Sequence, residues 1–157
     1  MVEKFMKQAV KEAIKARDKD EVPIGAVIVQ NGKIIARAHN LMEKTQMATA
    51  HAEILAINKA CKKTGSWRLD DCELYVTIEP CAMCAGAIAN ARIKKVYFGA
   101  YESKSGCAES KYPVLTDSGL NHTVEYLGGI ELEICANIIK NYFKSKRKGK
   151  SLDYSQE

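Results

Sequence analysis

The sequence predicts an α/β sandwich built around a mixed sheet, and three observations support this prediction. The chain has 157 residues, of which 46% are hydrophobic, so it is long enough for one domain with a core and too short for two comfortable ones. Segments with the apolar spacing of helices alternate with short β-prone runs. Asn31-Gly32 lies between two such runs and is the strongest hairpin signal in the chain. We expect one domain over residues 1–146 and a basic, polar tail over residues 147–157.

The predicted elements follow from the spacing of apolar residues along the chain. Over residues 2–16 these residues recur at steps of three and four, which predicts an amphipathic helix. The elements predicted after it are strands over 24–29 and 33–38, a helix opening at 49–51 and ending near 65, a strand over 74–78, a helix over 81–91, strands over 95–99 and 123–127, a weaker helix within 109–116 and a closing helix over 131–144. His51 is expected in the first turn of its helix, and Pro80 suits the first helical position after its strand.

Charge and composition narrow the function classes. The formal net charge is +5, which permits a polyanionic partner such as nucleic acid without requiring one. Residues 1–21 are rich in Lys and Glu and lack the apolar run of about 7 to 15 residues that a secretory signal carries. No later run approaches the roughly 20 apolar residues of a membrane span. We therefore expect a soluble, cytoplasmic protein.

The six cysteines, in a chain without a secretion signal, argue against a disulfide framework and favour metal or redox use. Cys81 and Cys84 are three residues apart at a predicted helix start, so their sulfurs lie on one face near the positive end of the helix dipole, which favours the thiolate form. A Cys-x-x-Cys after a strand is also the thioredoxin-type redox arrangement. Cys72 and Cys135 lie in apolar runs and are expected in the core.

His51 and Glu53 favour a metal site over a redox pair. His51 would provide an imidazole nitrogen and Cys81 and Cys84 two thiolates, which leaves the fourth tetrahedral position of a zinc ion for water. Glu53 lies two residues beyond His51, close enough to reach that water without binding the metal. A carboxylate placed in this way can take a proton from the water and pass it to a substrate and a leaving group.

Several further residues are assigned structural roles by default. A closed structural zinc site with Cys61 or Cys107 as the fourth ligand is an alternative, although neither belongs to a second close-spaced pair. His39 and His122 are single histidines for which a surface or core position is the default expectation. Trp67 is expected to pack against neighbouring side chains.

Two motifs and their flanking segments resemble a known family. Ala50-His51-Ala52-Glu53 and Glu79-Pro80-Cys81-Ala82-Met83-Cys84 together match the signature of zinc-dependent deaminases. The wider likeness, from about residue 5 to 146, is to the bacterial TadA-type tRNA adenosine deaminases of the cytidine deaminase superfamily. The segments that carry it are 21–27, 49–53, 65–69, 74–88, 92–93, 96–100 and 121–122.

The resemblance implies both a fold and a site. The implied fold is a three-layer α/β/α sandwich of the cytidine deaminase-like type with a central five-stranded mixed sheet. In the implied site His51, Cys81 and Cys84 bind one zinc ion per subunit and Glu53 shuttles protons. The substrate-binding positions that the resemblance implies are Asn40, Ala52, Pro80, Glu102 and Asn121.

The implied reaction is hydrolytic conversion of adenosine to inosine at the wobble position of an arginine tRNA with the anticodon ACG. The target base would leave the anticodon loop for the pocket, and the basic stretch near residues 143–150 would contact phosphates. The implied partners are the tRNA anticodon stem-loop and a second copy of the chain in a homodimer, without a membrane. Residues 107–113, and Glu102 in place of a more usual Asp, depart from the family pattern within a stretch associated with RNA contact.

Two other functions remain open from the residues alone. A free-base deaminase acting on guanine or cytosine would share the metal site but would need no basic RNA surface. A non-catalytic, zinc-stabilised RNA-binding module would keep the three metal ligands, yet it would have no use for Glu53.

Overall fold

The structure, a computed structural model, describes residues 1–117 and 119–148, which form five helices and five strands. In chain order these are α1 (Val2–Asp18), β1 (Gly25–Gln30), β2 (Lys33–His39), α2 (Met42–Thr45), α3 (Ala52–Thr64), β3 (Cys72–Ile78), α4 (Ala82–Asn90), β4 (Lys95–Ala100), β5 (Glu125–Leu127) and α5 (Leu132–Arg147).

The five strands form one mixed sheet in the order β2-β1-β3-β4-β5. β1 is antiparallel to both of its neighbours, β2 and β3, whereas β3, β4 and β5 run parallel. The parallel pair β3 and β4 is joined through α4, as the geometry of a parallel connection requires. The predicted five-stranded mixed sheet is confirmed.

The sheet lies between two helical layers. On β3, Leu74 and Val76 pack with α3 and α4 on one face, whereas Tyr75 between them packs with α1 and α5 on the other. Phe98 on β4 is fully buried in the α3/α4 layer. Successive strand residues point to opposite faces, so each central strand contributes to both cores and its residues are almost all apolar.

The predicted hairpin is present between β1 and β2. Asn31 and Gly32 have φ values of 51° and 76°, and both are positive, as a two-residue type I′ turn requires. The hairpin places the end of β2 beside the start of β1, with His39 opposite Gly25, and the chain then passes through Asn40 toward α3.

The helix expected within residues 109–116 is absent, and the chain there forms turns. The backbone N–H groups of Glu109 and Ser110 donate to the carboxylate of Glu79, at 2.8 and 2.9 Å, so their segment is held in a loop around that carboxylate. A helix would need the N–H of Val114 and Leu115 to donate to carbonyls four positions back, but they donate to Tyr112 O at 3.0 Å and Cys107 O at 3.4 Å. Pro113 also disfavours helical geometry in the residue before it. Pro113, which has no N–H to donate, and these non-helical hydrogen bonds therefore prevent the expected helix.

Some helix boundaries also differ from the expectations. α4 begins at Ala82 with Cys81 as its N-cap, so Pro80 lies before the cap and not at the first helical position. His51 is the N-cap of α3 and so precedes its first turn. The region 42–45, expected to be loop, forms the short α2.

Buried Glu21 explains why α2 forms. Its carboxylate accepts the N–H groups of Glu43 at 2.9 Å and Lys44 at 2.7 Å, which stabilises the start of the helix from outside it. The stabilising residue lies 22 positions before Glu43 in the chain, so the local sequence of α2 carries no sign of it.

The cysteine and tail expectations have separate outcomes. Cys72 and Cys135 are buried in the two cores, as expected. Trp67 is 60% exposed, so the expectation that it packs within this chain is wrong.

The predicted tail lies outside the described residues except for its first two positions, and the domain boundary stays a prediction. No helix among the described residues is long and apolar enough to span a bilayer.

Gly65 ends α3 in the left-handed region, with φ 71°, and a Cβ added there would meet nothing within 4 Å. Gly65→Ala should therefore act through backbone strain alone and lower the free energy of unfolding by about 1 kcal/mol. The matched control is Gly86→Ala in α4, where a Cβ also meets nothing but φ is helical. This change should raise the free energy of unfolding by up to about 1 kcal/mol. Chemical denaturation of the two variants measures both effects, and a shift of the same sign in both would contradict backbone strain as the cause.

Candidate metal centre

Sheet topology brings the starts of two helices to one edge. β2 and β3 are both antiparallel to β1, so they run in the same direction and end at the same edge of the sheet. α3 follows β2 through the short α2, and α4 follows β3 directly. In the sheet, β1 lies between these two strands. The N–H of Leu41 donates to Ala50 O at 3.0 Å and holds the approach to α3 against the end of β2.

The three expected ligand atoms lie together at this edge. His51 Nδ1 is 3.6 Å from Cys81 Sγ and 3.4 Å from Cys84 Sγ, and all three ligand atoms lie within 4.8 Å of one another. Around a tetrahedral zinc ion with bonds of about 2.1 Å to nitrogen and 2.3 Å to sulfur, such atoms are roughly 3.6 Å apart. The donor types and their spacing therefore fit zinc.

The ligand group has three members among residues 1–117 and 119–148. Cys61 and Cys107 are not part of it, which argues against the closed structural site considered from the sequence. A metal held by three protein ligands keeps a coordination position for water, which is the arrangement of catalytic zinc sites.

The electrostatics of the cluster favour metal binding. A hydrogen bond from Cys84 and another from His51 lower the pKa of the Cys81 thiol to about 4. The same Cys81–Cys84 contact, together with burial, raises the pKa of Cys84, and the contact with Cys81 raises the pKa of His51. Cys81 is therefore a thiolate at neutral pH, which is the form that binds metal ions.

Glu53 lies in the first turn of α3 and is only 2% exposed. Its Oε1 is buried and has no hydrogen-bond partner among the described residues. Burial raises the pKa of this carboxyl group. Buried carboxylate oxygens normally have partners, so an unpaired one next to a ligand cluster indicates a group that is paired during function.

The expected substrate-binding residues occupy different environments. Asn40 is buried at the end of β2, where its Oδ1 accepts the N–H of Met42 at 3.4 Å and its Nδ2 donates to Val22 O at 3.5 Å. Ala52 and Pro80 are buried and directly adjoin the expected ligands His51 and Cys81 in the chain.

Two further expected positions lie outside the helix starts. Glu102 is half-buried after β4, and its Oε1 accepts the N–H of Lys104 at 2.9 Å. Asn121 is exposed in the segment before β5. The substrate roles of both residues, like those of Asn40, Ala52 and Pro80, stay predictions.

The single histidines have structural partners. His39 Nδ1 is 3.3 Å from a carboxylate oxygen of Glu12, and its Nε2 is 3.0 Å from the Lys19 ammonium. His122 Nε2 is 2.9 Å from Ile93 O. Neither histidine belongs to the ligand group.

The basic stretch expected near residues 143–150 is described only as far as Lys148. Lys144, Arg147 and Lys148 are exposed at the end of α5. Lys146 is also exposed, but its ammonium pairs with Asp20 at 2.6 Å. The last two residues of the expected stretch lie outside the described part of the chain.

Glu79 is a residue whose importance the sequence pattern did not show. It is 2% exposed, and its carboxylate accepts backbone N–H groups from the loop after β4. Burial alone would raise the pKa of the carboxyl group, but the hydrogen bond from the Ser110 hydroxyl and those from the backbone lower it. Its position directly before the Pro-Cys pair was the only available signal.

Comparison with known proteins places the chain in a family. Residues 2–147 match the family described as MafB19-like deaminase. A tRNA-specific adenosine deaminase of Bacillus subtilis is 51% identical over 148 residues, which cover 94% of this chain and 92% of the relative. The chain belongs to the tRNA-specific adenosine deaminase family. The resemblance inferred from the motifs is confirmed.

Solved structures agree with this family assignment. A structure from work on A-to-I editing by tRNA:A34 deaminases at the wobble position of transfer RNA matches with a TM-score of 0.84 and 43% identity, over 86% of this chain and 98% of that one. A guanine deaminase from Nitrosomonas europaea matches with a TM-score of 0.78 and 22% identity, over 89% of this chain and 83% of that one. The second match shows the fold alone. The cytidine deaminase-like fold of this tRNA-specific adenosine deaminase family member is confirmed.

Proposed function

We propose that this chain hydrolyses adenosine to inosine at the wobble position of an arginine tRNA with the anticodon ACG. The observation that carries the proposal is the unpaired, buried Glu53 oxygen beside a ligand cluster of three residues. A zinc-stabilised binding module or a structural zinc site has no need for such a carboxylate. The Bacillus subtilis relative and the tRNA:A34 deaminase structure support the choice of substrate.

His51, Cys81 and Cys84 would hold one zinc ion in each subunit. Zinc bound there would supply a Lewis acid that brings the pKa of a water molecule close to 7. Glu53 accepts a proton from the attacking water at a carboxylate oxygen and delivers it to a ring nitrogen of adenine. It then takes the remaining proton of the hydroxyl group formed at C6 and transfers it to the leaving amino group. A C–O bond forms at C6, the C6–N bond breaks, and the products are inosine and ammonia.

An RNA substrate is consistent with the charge of the chain. Its formal net charge is +5, and the exposed lysines and arginine at the end of α5 are placed to contact phosphates. We propose that the anticodon base enters the site in an unstacked form and that Asn40 helps to hold it. Such an enzyme would act in the cytoplasm, where its tRNA substrate is used in translation.

We propose that the enzyme works as a homodimer. A groove of about 320 Å³ lies between α3 and α4, lined by apolar residues such as Ile54, Ile57 and Ala87 and by the exposed Trp67. An exposed Trp at the rim of an apolar groove is typical of a protein–protein contact. Sedimentation equilibrium should give twice the monomer mass.

Inosine formation tests the proposed function. The zinc-loaded protein is incubated with an arginine-tRNA anticodon stem-loop that carries adenosine at the wobble position, and a stem-loop with adenosine moved to a base-paired position is the control. Free guanine and cytosine are assayed in parallel. We expect inosine only in the first RNA, at a rate that falls with increasing salt because phosphate contacts are weakened. Product from a free base alone would assign the chain to the free-base deaminases.

A further inference from the structure

Glu79 carries a buried negative charge that backbone groups stabilise. It lies on the turn between β3 and α4, two residues before Cys81. Among the described residues no Lys or Arg pairs with it. Its partners are the backbone N–H groups of Glu102 at 3.1 Å, Ala108 at 3.0 Å, Glu109 at 2.8 Å and Ser110 at 2.9 Å, together with the Ser110 hydroxyl.

These partners all belong to one loop, residues 102–110, which leaves the end of β4. Three successive N–H groups, at residues 108–110, converge on Glu79 Oε2, while the N–H of Glu102 and the Ser110 hydroxyl donate to Oε1. The carboxylate therefore contacts both ends of the 102–110 loop and closes it around itself. Charge-assisted hydrogen bonds of this kind are stronger than neutral ones.

Two further contacts hold the 102–110 loop against the metal centre. The N–H of Cys107 donates to Pro80 O at 2.7 Å, one residue before the ligand Cys81. A Cβ at Gly106 would lie 2.5 Å from Glu79 Oε1, so only glycine permits this close approach of the backbone to the carboxylate. The loop position is thus fixed by the residues that directly precede the metal ligands.

We propose that Glu79 is a positioning residue for the RNA substrate, because it fixes the 102–110 loop beside the metal centre. The inference rests on the proposed function. Glu102, an expected substrate-binding residue, has its backbone N–H held by Glu79, and Lys104 and Ser105 are exposed on the same loop. The carboxylate of Glu79 is occupied by loop donors, so it has no part in proton transfer. Its loss should impair substrate placement more than the chemical step.

Glu79→Gln tests this role with little change of shape. The amide oxygen can replace Oε2 and keep the N–H groups of residues 108–110, but the amide NH₂ then faces the N–H of Glu102, and that hydrogen bond is lost. We expect KM for the stem-loop to rise about tenfold while kcat changes by less than about threefold. A small misplacement of the substrate can lower the reaction rate by up to about 100-fold, so an effect of this size is within reach of one lost hydrogen bond. Zinc content should be unchanged, and the amide of Glu102 should exchange its hydrogen faster.

The matched control is Glu3→Gln, which removes one negative charge from the exposed face of α1, outside the 102–110 loop. Its loss leaves the Glu79 contacts in place. KM for this variant should not rise. Ser110→Ala removes a single side-chain donor at an exposed position, and should raise KM in the same direction as Glu79→Gln but by less.

The measured outcomes distinguish loop positioning from support of the metal ligands. Unchanged KM and unchanged Glu102 exchange in Glu79→Gln would overturn the inference. A fall in kcat together with lost zinc, at constant KM, would also overturn it, because Glu79 would then support the metal ligands instead. If Glu79→Gln does not fold, KM for Ser110→Ala tests the inference in its place, and an unchanged KM in that variant would overturn it. Absence of inosine with the unmodified protein would overturn the proposed function and the RNA role together.

Discussion

Glu53→Gln should lower kcat for inosine formation by about 10²–10⁴-fold while zinc stays bound. Glutamine has the same shape as glutamate, but its amide cannot accept a proton from water or return one to the leaving group. Glu53 is not in the ligand group, and its Oε1 has no partner among the described residues, so the substitution breaks no observed hydrogen bond of that atom. Single-turnover assays and elemental analysis measure the two quantities.

The control for this experiment is Glu3→Gln. It makes the same chemical change on the exposed face of α1, remote from the helix starts that carry the ligands, and should leave kcat unaltered. Retained turnover in Glu53→Gln would remove Glu53 from the mechanism. Loss of zinc from that variant would mean that the carboxylate is a ligand.

His51→Ala should lower zinc affinity by more than about 100-fold. Replacing residues that only orient metal ligands already lowers metal affinity by about 10–100-fold. His51 is expected to provide one of the three ligand atoms itself, so its loss should have a larger effect. At a zinc concentration about 100 times Kd, bound zinc adds about 2.7 kcal/mol to the free energy of unfolding, so the variant should lose most of that stabilisation. Zinc titration followed by chemical denaturation measures both effects.

His122→Ala serves as the matched control because it removes a histidine whose ring contacts Ile93 O and lies outside the ligand group. Its zinc content should equal that of the unmodified protein. A His51→Ala protein with full zinc content would contradict the ligand assignment, whereas zinc loss in both variants would point to a general effect on folding.

The thioredoxin-type alternative for Cys81 and Cys84 illustrates the limits of a local motif. A depressed thiol pKa, here about 4 for Cys81, fits a redox pair and a metal ligand equally well. The contact of His51 Nδ1 with both sulfurs is what favours a metal site. His51 belongs to another helix, so the distinction depends on how the two helices meet.

Features that depend on neighbouring residues could be predicted from the sequence. The Asn31-Gly32 turn forms because both residues tolerate positive φ, and the central strands and long helices follow from apolar periodicity. The pairing of Cys81 and Cys84 was also expected from spacing, since a Cys-x-x-Cys at a helix start orients both sulfurs to one face. His51 was added to the set because of its motif with Glu53.

Features that depend on distant contacts could not be predicted in this way. The helix expected within 109–116 fails because the N–H groups of Val114 and Leu115 donate to Tyr112 O and Cys107 O and not to carbonyls one helical turn back. In contrast, α2 forms because Glu21 stabilises its first turn. The sequence alone determined which side chains are proposed for the metal and proton chemistry, because residue type and motif identify them. Only the tertiary structure decided that β1 lies between β2 and β3, the strands that lead to His51 and Cys81, and that Glu79 holds the 102–110 loop to the candidate site. The physical reason is that a buried charge takes whichever donors the fold brings within reach.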